Sequence, residues 1–388
     1  MNIGKTIFAQ IMDFVPKYEF NKCVKRYNGH YKVHHFSCWE QFLCMSFAQL
    51  AYRESLRDIE VCLRSVKQKL YHLGIKSKIS RSTLADANER RDWRIYRDFG
   101  QLLIEHAHKL YANDTFAITL KNTVYALDST TIDLCVSLFP WATYCKSQAA
   151  IKMHTLLNLR GNIPSVIVIT DARVSELKIL DQLIIEPGAL YVMDRGYFDF
   201  SRLWTIHQRR GFFVTRMISN VRFQRIYSEK VHKETGIQCD QIVQFQTQYA
   251  RERFPSKVRR IRYLDPNSEK RLVFLTNNMD LSAETIAALY RSRWQIELFF
   301  KWVKQHLRIK AFYGTSENAV KTQIWIAVSI YVLVAIIKKQ LKLGLNLYTI
   351  LQILSVSLFE KTSILQALSD FDCQRTSPDL QMPLIFKE

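Results

Sequence analysis

Thr123-Val-Tyr-Ala-Leu-Asp-Ser129 and Ala189-Leu-Tyr-Val-Met-Asp194 are the two stretches on which the fold turns. Each is a short run of strand-forming residues that arrives at an aspartate. An acid in the middle or at the end of an apolar strand is costly unless it is paired or meets a cation. Taken singly, such an aspartate reads more readily as a strand-end cap or a turn residue. Two in matching settings, on strands that should be neighbours, point to a cation site. Between them, residues 151–158 and 163–170 read as strands joined by the turn Asn158-Leu-Arg-Gly-Asn162, where Gly161 supplies the permissive backbone. Residues 174–183 read as a helix leading into the strand that ends at Asp194.

Three antiparallel strands, a crossover helix and a further strand follow the order of a ribonuclease H-like sheet. Residues 211–277 are again strand-rich, too much so for one connecting loop. Residues 212–217 read as the last core strand, and residues 241–249, 257–264 and 271–276 as a β-rich insertion. Ser282 then caps a long helix containing Glu297. Residues 36–111 have helical period, and residues 316–368 are helical and apolar, suited to covering the sheet. The fold class expected is α/β: a ribonuclease H-like mixed sheet with flanking helices, interrupted by a β-rich insertion, plus an all-helical N-terminal domain. The expected boundaries are a helical N-terminal domain at 1–118, a first core part at 119–217, the insertion at 218–280, a second core part at 281–340 and a helical segment at 341–388.

The chain has 388 residues, 48% of them apolar, enough to bury a core in each of two or three units. Lys and Arg outnumber Asp and Glu by 55 to 35, a formal charge of +20, which favours a polyanionic partner. Residues 202–310 hold 22 basic and 9 acidic residues, so +13 of that charge lies in less than a third of the chain. The charges alternate with aromatics and β-formers, as in Phe254-Pro-Ser-Lys-Val-Arg-Arg-Ile-Arg-Tyr263, which reads as ordered strand surface and not as a polybasic tail. Nucleic acid is the expected partner, and no membrane. The longest apolar run, residues 324–337, is closed by Lys338 and Lys339 and reads as a buried helix. Without a signal core at the N-terminus, a cytoplasmic location is expected. The eight cysteines form no CxxC pair, so neither zinc nor a disulfide framework is expected.

The helix Tyr290-Arg-Ser-Arg-Trp-Gln-Ile-Glu-Leu-Phe-Phe-Lys-Trp-Val-Lys304 decides the chemistry. At roughly 100° per residue, Tyr290, Arg293, Glu297 and Lys304 fall at about 0°, 300°, 340° and 320°, on one face. Ile296, Phe299, Phe300 and Val303 form the adjoining apolar stripe. Spacing alone also permits a solvated face with an Arg293–Glu297 pair. The four residues, however, reproduce the Y-x2-R-x3-E-x6-K pattern, and the chain resembles the IS4 family of insertion-sequence transposases through it. The resemblance extends over residues 123–339, through Ala126-Leu-Asp-Ser-Thr130, Tyr191-Val-Met-Asp-Arg-Gly-Tyr197 and Gly314-Thr-Ser-Glu-Asn-Ala319. It departs at Glu176, where an Asp is usual.

The resemblance implies a DNA transposase of the DDE type, in which Asp128, Asp194 and Glu297 are catalytic and hold two Mg2+ ions, with Mn2+ as a substitute. Tyr290, Arg293 and Lys304 would grip transposon-end phosphates; Lys301 is a further expected DNA contact outside that pattern. The implied partner is double-stranded DNA, both terminal inverted repeats and target, with a homodimer in the DNA complex, a bacterial nucleoid-associated location and no nucleotide cofactor. Hard carboxylate oxygens suit such ions, and the same site would first hydrolyse a strand and then use its 3′-OH as nucleophile.

From the residues themselves, further DNA contacts are expected at Arg195, which alternatively serves a turn, and at Arg251, Arg253, Lys257, Arg259, Arg260 and Arg262, with Phe254 and Tyr263 available for stacking. In the N-terminal helices, residues 55–63 and 80–91 flank Gly74 as a helix-turn-helix-like pair, placing Arg81, Thr83, Asn88 and Arg91 for base contact. The alternative is a solvated helix face. Ser129 either bonds a metal-bound water or serves a turn. Asp133 competes with Asp128 but falls on the opposite strand face, while Asp199 reads as a helix cap and Asp171 as a turn. A structure-selective metal-dependent nuclease and a catalytically silent DNA-binding derivative remain the alternative functions.

Overall fold

The computed structural model describes residues 4–76, 78–114, 118, 120, 122–266, 269–306 and 312–369. Its N-terminal helices are α1 (Ile7–Asp13), α2 (Lys17–Arg26), α3 (Cys38–Leu50), α4 (Leu56–Ser65), α5 (Lys67–Leu70), α6 (Arg81–Arg90) and α7 (Arg94–Tyr111). Their starts follow from capping chemistry. Ser37 and Glu40 form a reciprocal capping box at α3, and Ser55 and Ser80 cap α4 and α6 through the amides of Asp58 and Thr83. Gly74 takes φ 84°, the left-handed conformation that closes the turn after residues 71–73.

Strand-forming runs after residue 122 build one ten-stranded sheet. Its strands are β1 (Val124–Leu134), β2 (Thr143–Cys145), β3 (Gln148–Asn158), β4 (Ile163–Asp171), β5 (Leu190–Met193), β6 (Phe212–Arg216), β7 (Phe223–Glu229), β8 (Ile237–Phe245), β9 (Val258–Leu264) and β10 (Arg271–Thr276). The order is β2-β3-β1-β5-β6-β10-β9-β8-β7, with β4 also on β3. β3 is antiparallel to β1 and β4, whereas β5 is parallel to both β1 and β6. β10 joins β6 antiparallel, so residues 223–276 extend the sheet and do not form a separate body. Between β3 and β4, Gly161 has φ 81°, and a Cβ there would run into the Tyr111 ring.

α8 (Leu177–Leu180) and α9 (Phe200–Gln208) contribute Ile179, Leu180, Leu203 and Ile206 to a core with Tyr125, Leu127, Tyr191, Met193 and Phe213. Each such apolar side chain contributes about 1.5–3 kcal/mol by leaving water. α8 is shorter than the helix expected over residues 174–183. α10 (Gln248–Arg253), capped by Thr247, replaces the end of the strand expected over residues 241–249. Strand residues alternate between sheet faces, so Ala126 and Asp128 point away from the face of Tyr125 and Leu127. α11 (Ala283–Ser292) packs on β5, β6 and β8, and α12 (Trp294–Lys301) packs on β1.

The chain divides into residues 111–305 and a second unit of residues 1–110 with 306–388. The expected segment 281–340 is therefore split. Its last helix, α13 (Glu317–Gln340), packs on α3 and α6, with α14 (Leu347–Ser357) beside it and α15 (Ile364–Ser369) following. Asn318 fixes its start by donating to the carbonyls of Asn88 and Arg91 at 2.8 and 2.7 Å. α13 thus sits in the core of the helical unit. By length and composition α13 matches a membrane span, but 94% of its most apolar window is buried within the protein.

Candidate active site

Leu127 of β1 lies opposite Met193 of β5 in the parallel register, and the next residue of each is an aspartate. Asp128 and Asp194 therefore stand at the same level on neighbouring strands. Tyr290, in the last turn of α11, donates its hydroxyl to Asp194 Oδ1 at 3.0 Å. Arg293, at the joint between α11 and α12, donates to Asp128 Oδ2 at 2.9 Å and to Glu297 Oε1 at 2.6 Å. The joint is tightened: the amides of Arg293 and Ile296 bond carbonyls three residues back. Two hydrogen-bonded groups result: Tyr290 with Asp194 at the end of β5, and Arg293 with Asp128 of β1 and Glu297 of α12.

Burial pushes the Asp128 carboxyl up to about 6; the Ser129 amide and Arg293 oppose the rise, while Glu297 and Glu176 add to it. One guanidinium shared between two acids does not offset desolvation. Burial draws Arg293 down, but Tyr290, Glu297 and Asp128 outweigh it and hold the guanidinium above its ordinary value. The Tyr290 phenol is pushed up to about 12 by burial, so it remains a proton donor.

A family model described as Transposase DDE domain matches residues 119–333, more than half of the chain. The chain belongs to this family. The transposase also matches a domain of unknown function, DUF4372, over residues 3–76. A Sinorhizobium fredii protein assigned as transposase y4zB is 30% identical over 284 residues, covering 72% of this chain and 78% of that protein. The transposase of insertion sequence element IS5377 from Geobacillus stearothermophilus is 33% identical over 222 residues, 57% of this chain and 58% of that one. The IS4SA transposase of Synechocystis is 24% identical over 362 residues, 90% of this chain and 98% of that one. Among solved structures, a piggyBac transposase synaptic complex with hairpin DNA is similar at TM-score 0.42 and 10% identity, over 96% of this chain and 80% of that one. The protein is a DNA transposase, an enzyme of the DDE type.

Divalent metal ions serve this family, and the donor chemistry of the transposase fits them: carboxylate oxygens, two already drawn to one cationic group. As the side chains stand, no three His, Cys, Asp or Glu among the described residues are grouped to hold an ion. The Arg293 guanidinium lies between Asp128 and Glu297.

Of the other expected residues, Lys304 lies half-buried in a π-helical turn, Trp302–His306, so it does not continue the α-helical phase of Tyr290, Arg293 and Glu297. Lys301, Arg195, Arg251, Lys257 and Arg262 are exposed, and Arg253 is half-buried with its guanidinium 3.7 Å from the Tyr249 ring centroid. Arg259 and Arg260 are corrections: both are buried, because β9 is an interior strand. Arg259 pairs with Asp240 at 2.6 Å, and Arg260 donates to Gln241 at 2.9 Å. Phe254 and Tyr263 are buried in packing and have no face left for a base. In the helical unit Arg81 is exposed, but Asn88 is buried against Gln41 and Arg91 donates to Phe36, Ser37 and Gln41. Asn88 and Arg91 are therefore turned inward, which corrects their reading as base contacts.

Asp133 is exposed on the face opposite Asp128. Asp199 caps α9 through the Arg202 amide, and Asp171 accepts from the Arg173 amide in a turn. Ser129 donates to Glu176 at 2.7 Å, with Lys152 Nζ 3.9 Å from that carboxylate. The sequence reading missed Lys152, whose signal was its place on the strand opposite Thr131. It also missed β7, whose Arg222 and Arg225 surroundings are exposed.

Proposed function

We propose that this transposase cuts and joins DNA at Asp128, Asp194 and Glu297, which would hold two Mg2+ ions, with Mn2+ as a substitute. The observation that carries the reading is the pairing of Asp128 and Asp194 on adjacent parallel strands, with Glu297 tied to Asp128 through Arg293. The ribonuclease H-like assignment rests on the order β4-β3-β1-β5-β6, antiparallel on one side of β1 and parallel on the other. Membership of the IS4 family rests on the Tyr290, Arg293, Glu297 and Lys304 spacing.

When bound, the ions would activate the attacking oxygen and stabilise the leaving 3′ oxygen. Tyr290 orients Asp194 by its hydrogen bond, and Asp128, on the interior strand β1, is only 21% exposed. The substrate would be the terminal inverted repeats of an insertion sequence, followed by target DNA, in a homodimeric complex at the bacterial nucleoid. Exposed Arg195, Lys257 and Arg262 are the proposed phosphate contacts on the sheet unit, and Arg81 on the helical unit.

The test is a pair of assays on DNA flanking the gene of this chain: metal-dependent cleavage, and strand transfer from a pre-cleaved 3′-OH end. Asp128→Asn, Asp194→Asn and Glu297→Gln should each lower both rates by about 10^3-fold or more, the effect of losing several kcal/mol of charge stabilisation. DNA binding should persist. Cleavage without strand transfer by the unaltered protein would identify a nuclease instead, and full activity of any of the three variants would exclude the site.

A further inference from the structure

Arg293 occupies an unusual position for a residue expected to meet DNA. Its two terminal nitrogens are given to Asp128 and Glu297, and its side chain is only 15% exposed. Its Nε is buried with no partner. The Tyr290 ring lies beside it, 5.7 Å from centroid to guanidinium carbon. A guanidinium placed for structure alone would ordinarily satisfy all its donors when buried.

The oxygens that Arg293 takes up are the ones a divalent ion would need. An ion bound by Asp128 and Glu297 would stand beside a fixed positive charge in a poorly hydrated site, where like charges repel strongly. Displacing Arg293 relieves that repulsion but leaves a largely buried cation without a partner, which is also costly. A phosphodiester entering the site removes this cost, because it offers the guanidinium two anionic oxygens in a matching geometry.

We infer that Arg293 is a positioning residue that gates the metal site: it is the internal counter-cation of Asp128 and Glu297 in the free protein, and it exchanges them for a DNA phosphate. Metal and DNA then bind cooperatively, and linkage makes the effect reciprocal. The transposase is thereby kept from assembling a loaded site in the absence of DNA. This inference rests on the metal-site reading of Asp128, Asp194 and Glu297.

The test is Mn2+ binding followed by calorimetry and by the loss of the free-ion paramagnetic signal, with and without a duplex from the DNA flanking the gene of this chain. In the unaltered protein the duplex should tighten Mn2+ binding about tenfold, within the range usual for coupled sites. Arg293→Gln, which keeps a polar side chain but is shorter and carries no charge, should bind Mn2+ several-fold tighter than the unaltered protein when no duplex is present. The gain from adding duplex should shrink correspondingly. Arg293→Lys, which keeps the charge but cannot bridge two acids in a fork, should fall between the two.

Thermal unfolding of both variants, and loss of Mn2+ binding in Asp128→Asn, serve as the controls for fold and site. Weaker or unchanged Mn2+ binding by a folded Arg293→Gln, or an undiminished duplex effect, would overturn the gating role while leaving the metal site standing. Absence of Mn2+ binding by every form, with or without duplex, would overturn the metal-site reading and the gate with it.

Discussion

Arg259 and Arg293 were both expected to meet DNA phosphate, and both meet carboxylates in the structure. The resulting pairs differ in kind. Arg259 is matched to one acid: its Nε and one terminal nitrogen bond the two oxygens of Asp240 at 2.9 and 2.6 Å, and Leu281 supplies a carbonyl for the other. Both partners are under 10% exposed. Arg293 is shared between two acids from different elements, Asp128 on β1 and Glu297 on α12, which remain 21% and 33% exposed. A closed, one-to-one pair fixes a fold. An open pair with more acids than cations leaves carboxylate capacity for something else.

This contrast can be broken by substitution. The largest effect outside the active site is expected at Arg259. Arg259→Ala leaves Asp240 buried and uncompensated, so stability should fall by about 3–5 kcal/mol in chemical denaturation. A loss below about 1 kcal/mol would show that water reaches Asp240 and that the pair is not closed. Removing the Asp199 cap of α9 should be milder. Asp199→Ala should cost about 1 kcal/mol, read in the same way. The smallest effect on stability is expected at exposed Arg262, within about 0.5 kcal/mol for Arg262→Ala. If it meets a phosphate, the same substitution should reduce the slope of log affinity against log salt by about 0.9. An unchanged slope would remove it from the DNA surface.

Much of the catalytic unit was legible because its elements are local. The runs arriving at Asp128 and Asp194 lie in β1 and β5, though β1 continues past Asp128 to Leu134, and the turn expected at Gly161 formed, with that glycine at φ 81°. Tyr290, Arg293 and Glu297 came together because helical phase survives the joint between α11 and α12. It does not survive the π-helical turn, which is why Lys304 departs from that arc.

What stayed hidden was set by topology. β9 carries a basic sequence, but its place between β8 and β10 is a property of the whole sheet, and burial of Arg259 and Arg260 follows from that place. β7 escaped notice for the opposite reason: exposed along nearly its whole length at the sheet edge, it shows no apolar alternation. The apolar run of α13 announced a buried helix, yet nothing in it named α3 and α6 as its partners.

The central claim is that Asp128, Asp194 and Glu297 converge on metal when the site is loaded. Crystals of the transposase bound to duplex DNA and soaked in Mn2+ would test it through anomalous scattering at the manganese edge. The account predicts manganese peaks within about 2.0–2.6 Å of carboxylate oxygens of these three residues, with Arg293 turned to a phosphate. Manganese bound elsewhere, with Arg293 still bridging Asp128 and Glu297, would contradict it.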